Sequence, residues 1–215
     1  MTNRLIIKLA DGLYIDLSKA RSHKYISRKP DGKGGWIYTY YKKPVGNSYA
    51  VNYNDMRDFD YEKAVQIYKD TESIRNIKNY EHSKIYDNKG IVLLYKIFPK
   101  TGGSFTNEEL NKIENSKLLI HNHPSGDSFS TKDIQLIIEK NINEIRAIGQ
   151  KEKTKTIFSL KLEKQIPIEL KRDLLNYHFS LWNINKTTGD KFFAHKTMQD
   201  FIKVYGEYFK YERIK

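Results

Sequence analysis

The sequence predicts an α+β fold, in which a mixed β-sheet is flanked by helices and preceded by a basic β-hairpin module. Three observations support this prediction. Short apolar runs bounded by Gly, Pro, Asn and Asp recur along the chain, a pattern typical of strands. Between several of these runs, apolar residues recur at helical spacing. The chain of 215 residues is also long enough to bury a sizeable core.

The composition excludes several classes of protein. The chain has no cysteine, which excludes disulfide scaffolds, thiolate zinc fingers, iron–sulfur proteins and cysteine nucleophiles. No apolar run approaches the roughly 18 residues of a membrane helix, and the N-terminus lacks the apolar core of a signal peptide. We therefore expect a soluble, cytoplasmic protein that does not span a membrane.

The charge balance is strongly basic. There are 38 Lys and Arg residues against 26 Asp and Glu residues, which gives a formal net charge of +12. Such an excess favours an acidic partner, which is nucleic acid, an acidic protein or an anionic membrane surface. The alternative is compositional, because an AT-rich genome encodes many Lys, Asn and Ile codons.

Residues 1–58 are predicted to form a basic, Tyr-rich β module. Two short apolar runs joined by Asp11-Gly12 predict a first hairpin. A second hairpin is predicted over Lys24–Lys42, because the turn PDGKGG combines a proline of fixed φ with glycines that accept positive φ. The basic aromatic hairpin Lys24–Lys43 is a candidate for stacking bases and contacting phosphates of nucleic acid. A packed tyrosine face, or a grip on a protein substrate, explains the same pattern.

Residues 59–165 are predicted to form a mixed α/β body, and residues 166–215 a helical C-terminal extension. The run Leu118–Ile120 is continuously apolar, which suits a strand buried on both faces. Predicted helices span Asp60–Lys78, Thr106–Asn115 and Ser130–Asn143, with Ile168–Asn183 and Phe193–Tyr208 in the extension. Predicted strands span Tyr80–Tyr86, Ile91–Phe98, Lys117–His123, Glu144–Gly149 and Thr154–Leu162.

The segment HNHPSGDSFSTKD, from His121 to Asp133, is the most informative stretch for chemistry. Histidines at positions i and i+2 of a strand lie on one face, so His121 and His123 can both reach one metal ion. Asp133 falls in the first turn of the next helix, where we expect it to face the sheet. Two imidazoles and one carboxylate leave a fourth position for water, as in catalytic zinc sites. The alternative is structural, because Ser130 and Asp133 also form a capping box.

This segment resembles the signature of the JAB/MPN (JAMM) metalloprotease family, which is H-x-H-P, a short loop and S-x-x-D. The form HNHPSGD is similar to the RadC-like, phage-type prokaryotic branch, and the resemblance covers about residues 79–162. It implies a JAB/MPN-like fold with a mixed, curved sheet, and a zinc ion held by His121, His123 and Asp133. It also implies that Ser130 helps to stabilise the oxyanion. An upstream Glu on a strand would be the general base, and the matching position is Glu81.

Two features of the motif leave assignments open. Glu108 and Glu109 are rivals of Glu81 as the base, although they fall on an apparent capped surface helix. The loop between His123 and Ser130 has six residues, one fewer than the common family pattern. Because the Ser-x-x-Asp spacing is intact, we still expect the helix to present its aspartate to the histidines.

The resemblance implies a zinc-dependent hydrolase that cleaves a peptide or isopeptide bond in a protein or peptide substrate by metal-activated water. It also makes a phage-encoded protein, in the host cytoplasm or associated with the virion, one expectation for location. The alternative is a RadC-like nucleic-acid-associated or phage accessory protein, in which the JAB core is a scaffold or a nuclease. The residues alone predict only a metal-activated water at the end of a strand.

Overall fold

The chain forms two compact units, Met1–Tyr68 and Lys69–Lys215, and helix α1, Tyr61–Arg75, contains the boundary between them. Sequence reasoning instead put boundaries after residues 58 and 165. The computed structural model describes residues 6–8, 13–16, 25–30, 36–40, 51–52, 59, 61–75, 77–99, 102–124, 126–151 and 154–214. No helix in these ranges is long and apolar enough to cross a membrane.

The first unit contains two groups of antiparallel strands. Three of them form a sheet in the order β1-β2-β5, namely β1 (Ile6–Lys8), β2 (Leu13–Asp16) and β5 (Val51–Asn52). The other two, β3 (Tyr25–Pro30) and β4 (Trp36–Tyr40), pair with each other. The turn between β3 and β4, and the side chains of Lys24–Lys43, lie outside the described residues. Nucleic-acid binding by this segment therefore stays a prediction.

The second unit is built on a mixed six-stranded sheet flanked by helices, which confirms the α+β class. The strand order is β11-β10-β9-β8-β6-β7, and all neighbours are antiparallel except β8 and β9. The strands are β6 (Tyr80–Tyr86), β7 (Val92–Pro99), β8 (Leu118–Asn122), β9 (Glu144–Lys151), β10 (Thr154–Leu162) and β11 (Phe209–Ile214). The helices are α2 (Asn107–Lys112), α3 (Thr131–Lys140), α4 (Ile168–Thr187) and α5 (Phe193–Tyr205).

Strand β8 lies inside the sheet, and all five of its residues are buried, as its continuous apolar run predicted. Helix α3 is the crossover between the parallel strands β8 and β9. Its residues Ile134, Ile137 and Ile138 belong to the same buried apolar cluster as Leu119 of β8 and Ile145 of β9. This packing fixes the start of α3 beside the end of β8, where the histidine motif lies.

The C-terminal segment differs from the predicted helical extension, because it ends in a strand of the sheet. Helix α5 stops at Tyr205, and β11 then pairs along the outer edge of β10. In β11, Phe209 is buried whereas Lys210 and Glu212 are more exposed, the alternation expected of a strand. Residues 166–215 thus belong to the compact unit that contains the sheet.

One buried side chain of α4 makes stability depend on pH. His178 is 2% exposed, and burial lowers its pKa from 6.5 to about 4 against a weaker opposing effect of the Asp133 charge. At a pH between these two values, the His178 ring is protonated in the unfolded chain but neutral in the folded chain. We therefore expect the contribution of His178 to the free energy of unfolding to fall by about 3 kcal/mol as the pH drops from 7 to 4.

The measurement is urea denaturation of the wild type and of His178→Phe across this pH range. The phenyl ring keeps an aromatic contact with Phe201, whose centroid is 5.4 Å from that of His178. The difference in unfolding free energy between the two proteins should change in favour of His178→Phe as the pH falls. A difference that is the same at pH 7 and pH 4 would exclude His178 as the source.

Candidate metal centre

Two imidazoles converge at the end of β8. His121 lies in the strand, is 1% exposed and pairs with Ser83 of β6. His123 follows the strand, and its backbone N–H donates to the carbonyl of Ile148 in β9 at 2.8 Å. The Nε2 atoms of the two histidines are 2.9 Å apart. The i, i+2 spacing therefore directs both rings to one point.

The first turn of α3 brings Asp133 to the same point. Its Oδ1 is 3.4 Å from Nε2 of His121, and its Oδ2 is 3.4 Å from Nε2 of His123. Burial opposes the charged form, but the charge and hydrogen bonding of His121, and then of His123, hold the pKa of Asp133 well below its usual value. The carboxylate is therefore an anion facing two ring nitrogens.

These distances fit a small divalent cation. Zinc binds nitrogen and oxygen at about 2.0–2.2 Å, so two tetrahedral ligands of one ion are separated by about 3.3 Å. The two contacts of Asp133 have this length, and the two Nε2 atoms are somewhat closer. Imidazole and carboxylate together are also a donor set that zinc prefers. The cluster can thus accept a metal ion with little movement of its side chains.

Glu81 of β6 approaches the two histidines from the neighbouring strand. One ligand atom each of Glu81, His121 and His123 all lie within 4.8 Å of one another, so these three residues form a group that can hold a metal ion. Strand alternation explains the position, because Glu81 is two residues from Ser83, which pairs with His121. Glu81 and Asp133 thus each lie beside the same pair of histidines.

The rivals of Glu81 have other partners. Glu109 closes the capping box of α2, and its Oε2 also forms an ion pair with Lys96. The hydrogen bond to Lys96 is the main cause that lowers the pKa of Glu109. Glu108 is exposed in the first turn of the same helix. The partners of Glu109 and the exposure of Glu108 favour Glu81 as the acid of the site. His82, the next residue after Glu81, has its Nδ1 2.5 Å from the Tyr95 hydroxyl and is not in the group of candidate ligands.

Ser130 holds Asp133 in place. It is the N-cap of α3, and both its backbone N–H and its hydroxyl donate to Oδ2 of Asp133 at 2.7 Å. The capping box of Ser130 and Asp133, which was the structural alternative to a metal site, is thus present. It is also part of the cluster, because Asp133 contacts both histidines. Because the hydroxyl proton is directed to Asp133, the geometry favours a positioning role for Ser130 over the predicted contact with an oxyanion.

We expect Ser130→Ala to lower stability by about 1 kcal/mol through loss of the cap, and to weaken metal binding about 10–100-fold through loss of a hydrogen bond to a ligand. Ser130→Thr keeps the hydroxyl and is the control. Urea denaturation and metal competition with a chelator measure the two effects. A turnover that falls about 10²–10³-fold at saturating metal, with unchanged affinity, would instead favour the oxyanion role.

The His123 ring is fixed from both sides. Its Nδ1 is 3.1 Å from the carbonyl oxygen of Asp127. Burial opposes protonation of the ring, but the hydrogen bond and charge of Asp133, followed by the charge of Glu81, raise the pKa of His123 to about 9. The carboxylates of Asp133 and Glu81 beside this ring favour a positive charge in the cluster.

Asn122 is a site residue that sequence reasoning missed. Its side-chain nitrogen donates to the carbonyls of Ile77 and Tyr80, and its side-chain oxygen accepts the backbone N–H of His82. These bonds attach the strand that contains the histidines to the start of β6, where Glu81 lies. A fully buried amide in an apolar strand requires such partners, and this requirement was the available signal.

No family model matches the chain, and no curated protein or solved structure matches it either. Functional inference therefore depends on the residues of the motif and on the geometry of the cluster. Both point to the same four side chains, which are Glu81, His121, His123 and Asp133.

Proposed function

We propose that this chain is a zinc-dependent hydrolase of the JAB/MPN type that cleaves a peptide or isopeptide bond. The observation that carries the proposal is the meeting of two imidazole Nε2 atoms and the Asp133 carboxylate, with Glu81 alongside. The choice of an amide bond comes from the family resemblance of the motif. The choice of zinc comes from the donor set.

His121, His123 and Asp133 are the proposed ligands. Asp133 lies 3.4 Å from both Nε2 atoms, and its Oδ2 is already held by Ser130, which favours it as the anionic ligand. A zinc ion held there would supply Lewis acidity, which acidifies water and polarises a carbonyl group. Glu81 is then left with a free carboxylate function beside the cluster.

Glu81 is the proposed general base. Hydrolysis forms a bond between the oxygen of water and the carbonyl carbon, breaks the amide C–N bond and needs a proton on the departing nitrogen. A carboxylate oxygen of Glu81 accepts a proton from water and donates it to that nitrogen. This role requires Glu81 to be close to the histidines without being needed to hold the metal.

The strand arrangement supports the proposal. Glu81 lies on a strand antiparallel to β8, the histidines lie at the end of β8, and Asp133 begins the helix that connects β8 to a parallel strand. The shortened loop does not remove the aspartate from the site. Gly126 takes a φ of +73° in this loop, a value that glycine adopts without strain.

Metal content tests the proposal. We expect about one zinc per chain in the purified wild type and none in the double variant His121→Ala/His123→Ala, because that variant lacks both nitrogen ligands. His82→Ala, which removes a histidine outside the cluster, should retain the metal. Cleavage of a peptide library should stop after chelation and return when zinc is added. A wild type that binds no divalent metal would refute the proposal.

A further inference from the structure

Hydrogen bonds connect the C-terminal strand to the loop between the metal-ligand candidates. The hydroxyl of Tyr211 in β11 is 2.8 Å from Oγ of Ser128 in this loop and 2.6 Å from Nδ1 of His195 on α5. Ser128 is 2% exposed. The Tyr211 ring stacks on Phe158, with 6.3 Å between the centroids and 4° between the planes. A well-packed phenol from the end of the chain is thus bonded to the loop.

Both titratable members of this chain of hydrogen bonds are neutral near neutral pH. Burial raises the pKa of Tyr211 above its ordinary value, and burial lowers the pKa of His195. The phenol therefore keeps its proton and the imidazole does not gain a second one. The contribution of these groups is to fix the position of Ser128 and not to place a charge near the cluster.

The loop transmits this constraint to His123. The backbone N–H of Ser128 donates to Oδ1 of Asp127 at 2.7 Å, and the carbonyl of Asp127 is 3.1 Å from Nδ1 of His123. A carbonyl in this position fixes the orientation of a ligand imidazole. In the described part of the chain, Nδ1 of His121 has no hydrogen-bond partner. The carbonyl of this loop therefore orients the ring of His123 and not that of His121.

Other contacts hold the two ends of the loop. Gly126 lies against Gly149 of β9 so closely that an added Cβ on Gly149 would be 2.6 Å from the Cα of Gly126. At the other end, Ser130 caps α3. Ser128 lies between these two points, and its bond to Tyr211 attaches the middle of the loop to the edge of the sheet.

We propose that Tyr211 is a positioning residue of the metal centre. Its hydroxyl, held by His195, fixes Ser128 and hence the Asp127 carbonyl that orients His123. The part of this inference that concerns metal affinity rests on the proposed function, whereas the orientation of His123 does not. The edge strand β11 would thus be required for a well-ordered site.

The test uses the full chain and Tyr211→Phe, which removes the hydroxyl and keeps the stacked ring. In metal-free protein, we expect the Nδ1 proton of His123, observed by ¹⁵N-edited NMR, to shift and to exchange faster with solvent. In competition with a chelator, we expect zinc affinity to fall, by less than the about 10–100-fold that follows loss of a direct partner of a ligand histidine, because Tyr211 acts through Ser128 and the Asp127 carbonyl. The d–d spectrum of the Co²⁺-loaded protein should change as well.

Two further variants make the test decisive. Tyr205→Phe removes a hydroxyl from a tyrosine packed on the same apolar cluster and should match the wild type in every readout. Ser128→Ala breaks the same hydrogen bond from the loop side and should cause the same changes in the His123 proton and in zinc affinity. It keeps the test possible if Tyr211→Phe folds poorly. An unchanged His123 proton in both Tyr211→Phe and Ser128→Ala would overturn the positioning role. If the His123 proton shifts in these variants but the wild type binds no metal, the proposed hydrolase function is wrong, whereas the role of Tyr211 in orienting His123 is supported.

Discussion

Replacing Glu81 by Gln is expected to leave zinc bound and to lower amide hydrolysis about 10²–10⁴-fold, the usual contribution of general acid–base catalysis. Glutamine has the size of glutamate but accepts no proton at neutral pH. The ligand atom of Glu81 lies within 4.8 Å of those of both histidines, so the lost group is beside the proposed reaction centre. Asp133 still supplies the anion that contacts both Nε2 atoms.

The measurement combines zinc content with turnover of a cleaved peptide at saturating metal. Glu108→Gln is the matched control, because Glu108 is an exposed carboxylate on a helix that sequence reasoning considered as a rival base. It should retain both zinc and turnover. Loss of zinc from Glu81→Gln would make Glu81 a ligand, and full activity of Glu81→Gln would assign the base to another residue.

The parts of the site that sequence predicted are local in the chain. His121 and His123 are two residues apart, and Asp133 falls in the first turn of the helix that follows their strand, so strand alternation and the succession of strand and helix were enough to expect them together. Local rules could not place Glu81 in the same way, because it lies forty residues before His121 in the chain. Its proximity was an expectation from the family resemblance, and the pairing of β6 with β8 accounts for it.

The parts that sequence missed depend on contacts between distant residues. Asn122 joins backbone groups more than forty positions away, at Ile77 and Tyr80. Tyr211 and Ser128 are 83 positions apart. Strand β11 has only six residues and begins at Phe209, just after the predicted end of the last helix at Tyr208, so it was included in the helical extension without a strand of its own. The alternation of FKYERI is compatible with a strand but short, and the strand that it pairs with, β10, lies far away in the chain.

Asp133→Asn is expected to weaken zinc binding at least about 100-fold, which exceeds the effect of removing an outer partner of a ligand. The amide keeps the shape of the carboxylate and still accepts a hydrogen bond from Ser130. It removes the negative charge that faces both imidazoles. Loss of an acid from the first turn of α3 costs about 0.3–1 kcal/mol through the helix dipole, so the variant should remain folded.

Comparison of Asp133→Asn with Glu81→Gln in one zinc-competition assay separates the two carboxylates, because a ligand is needed for affinity and a base is not. Glu139→Gln makes the same chemical change on an exposed part of α3 and should bind zinc like the wild type. If Asp133→Asn retained zinc while Glu81→Gln lost it, Glu81 would be the third ligand and Asp133 a residue that only orients the histidines. The expected order is the reverse, because Asp133 is bonded to Ser130 and touches both Nε2 atoms, which makes it the more rigidly held anion.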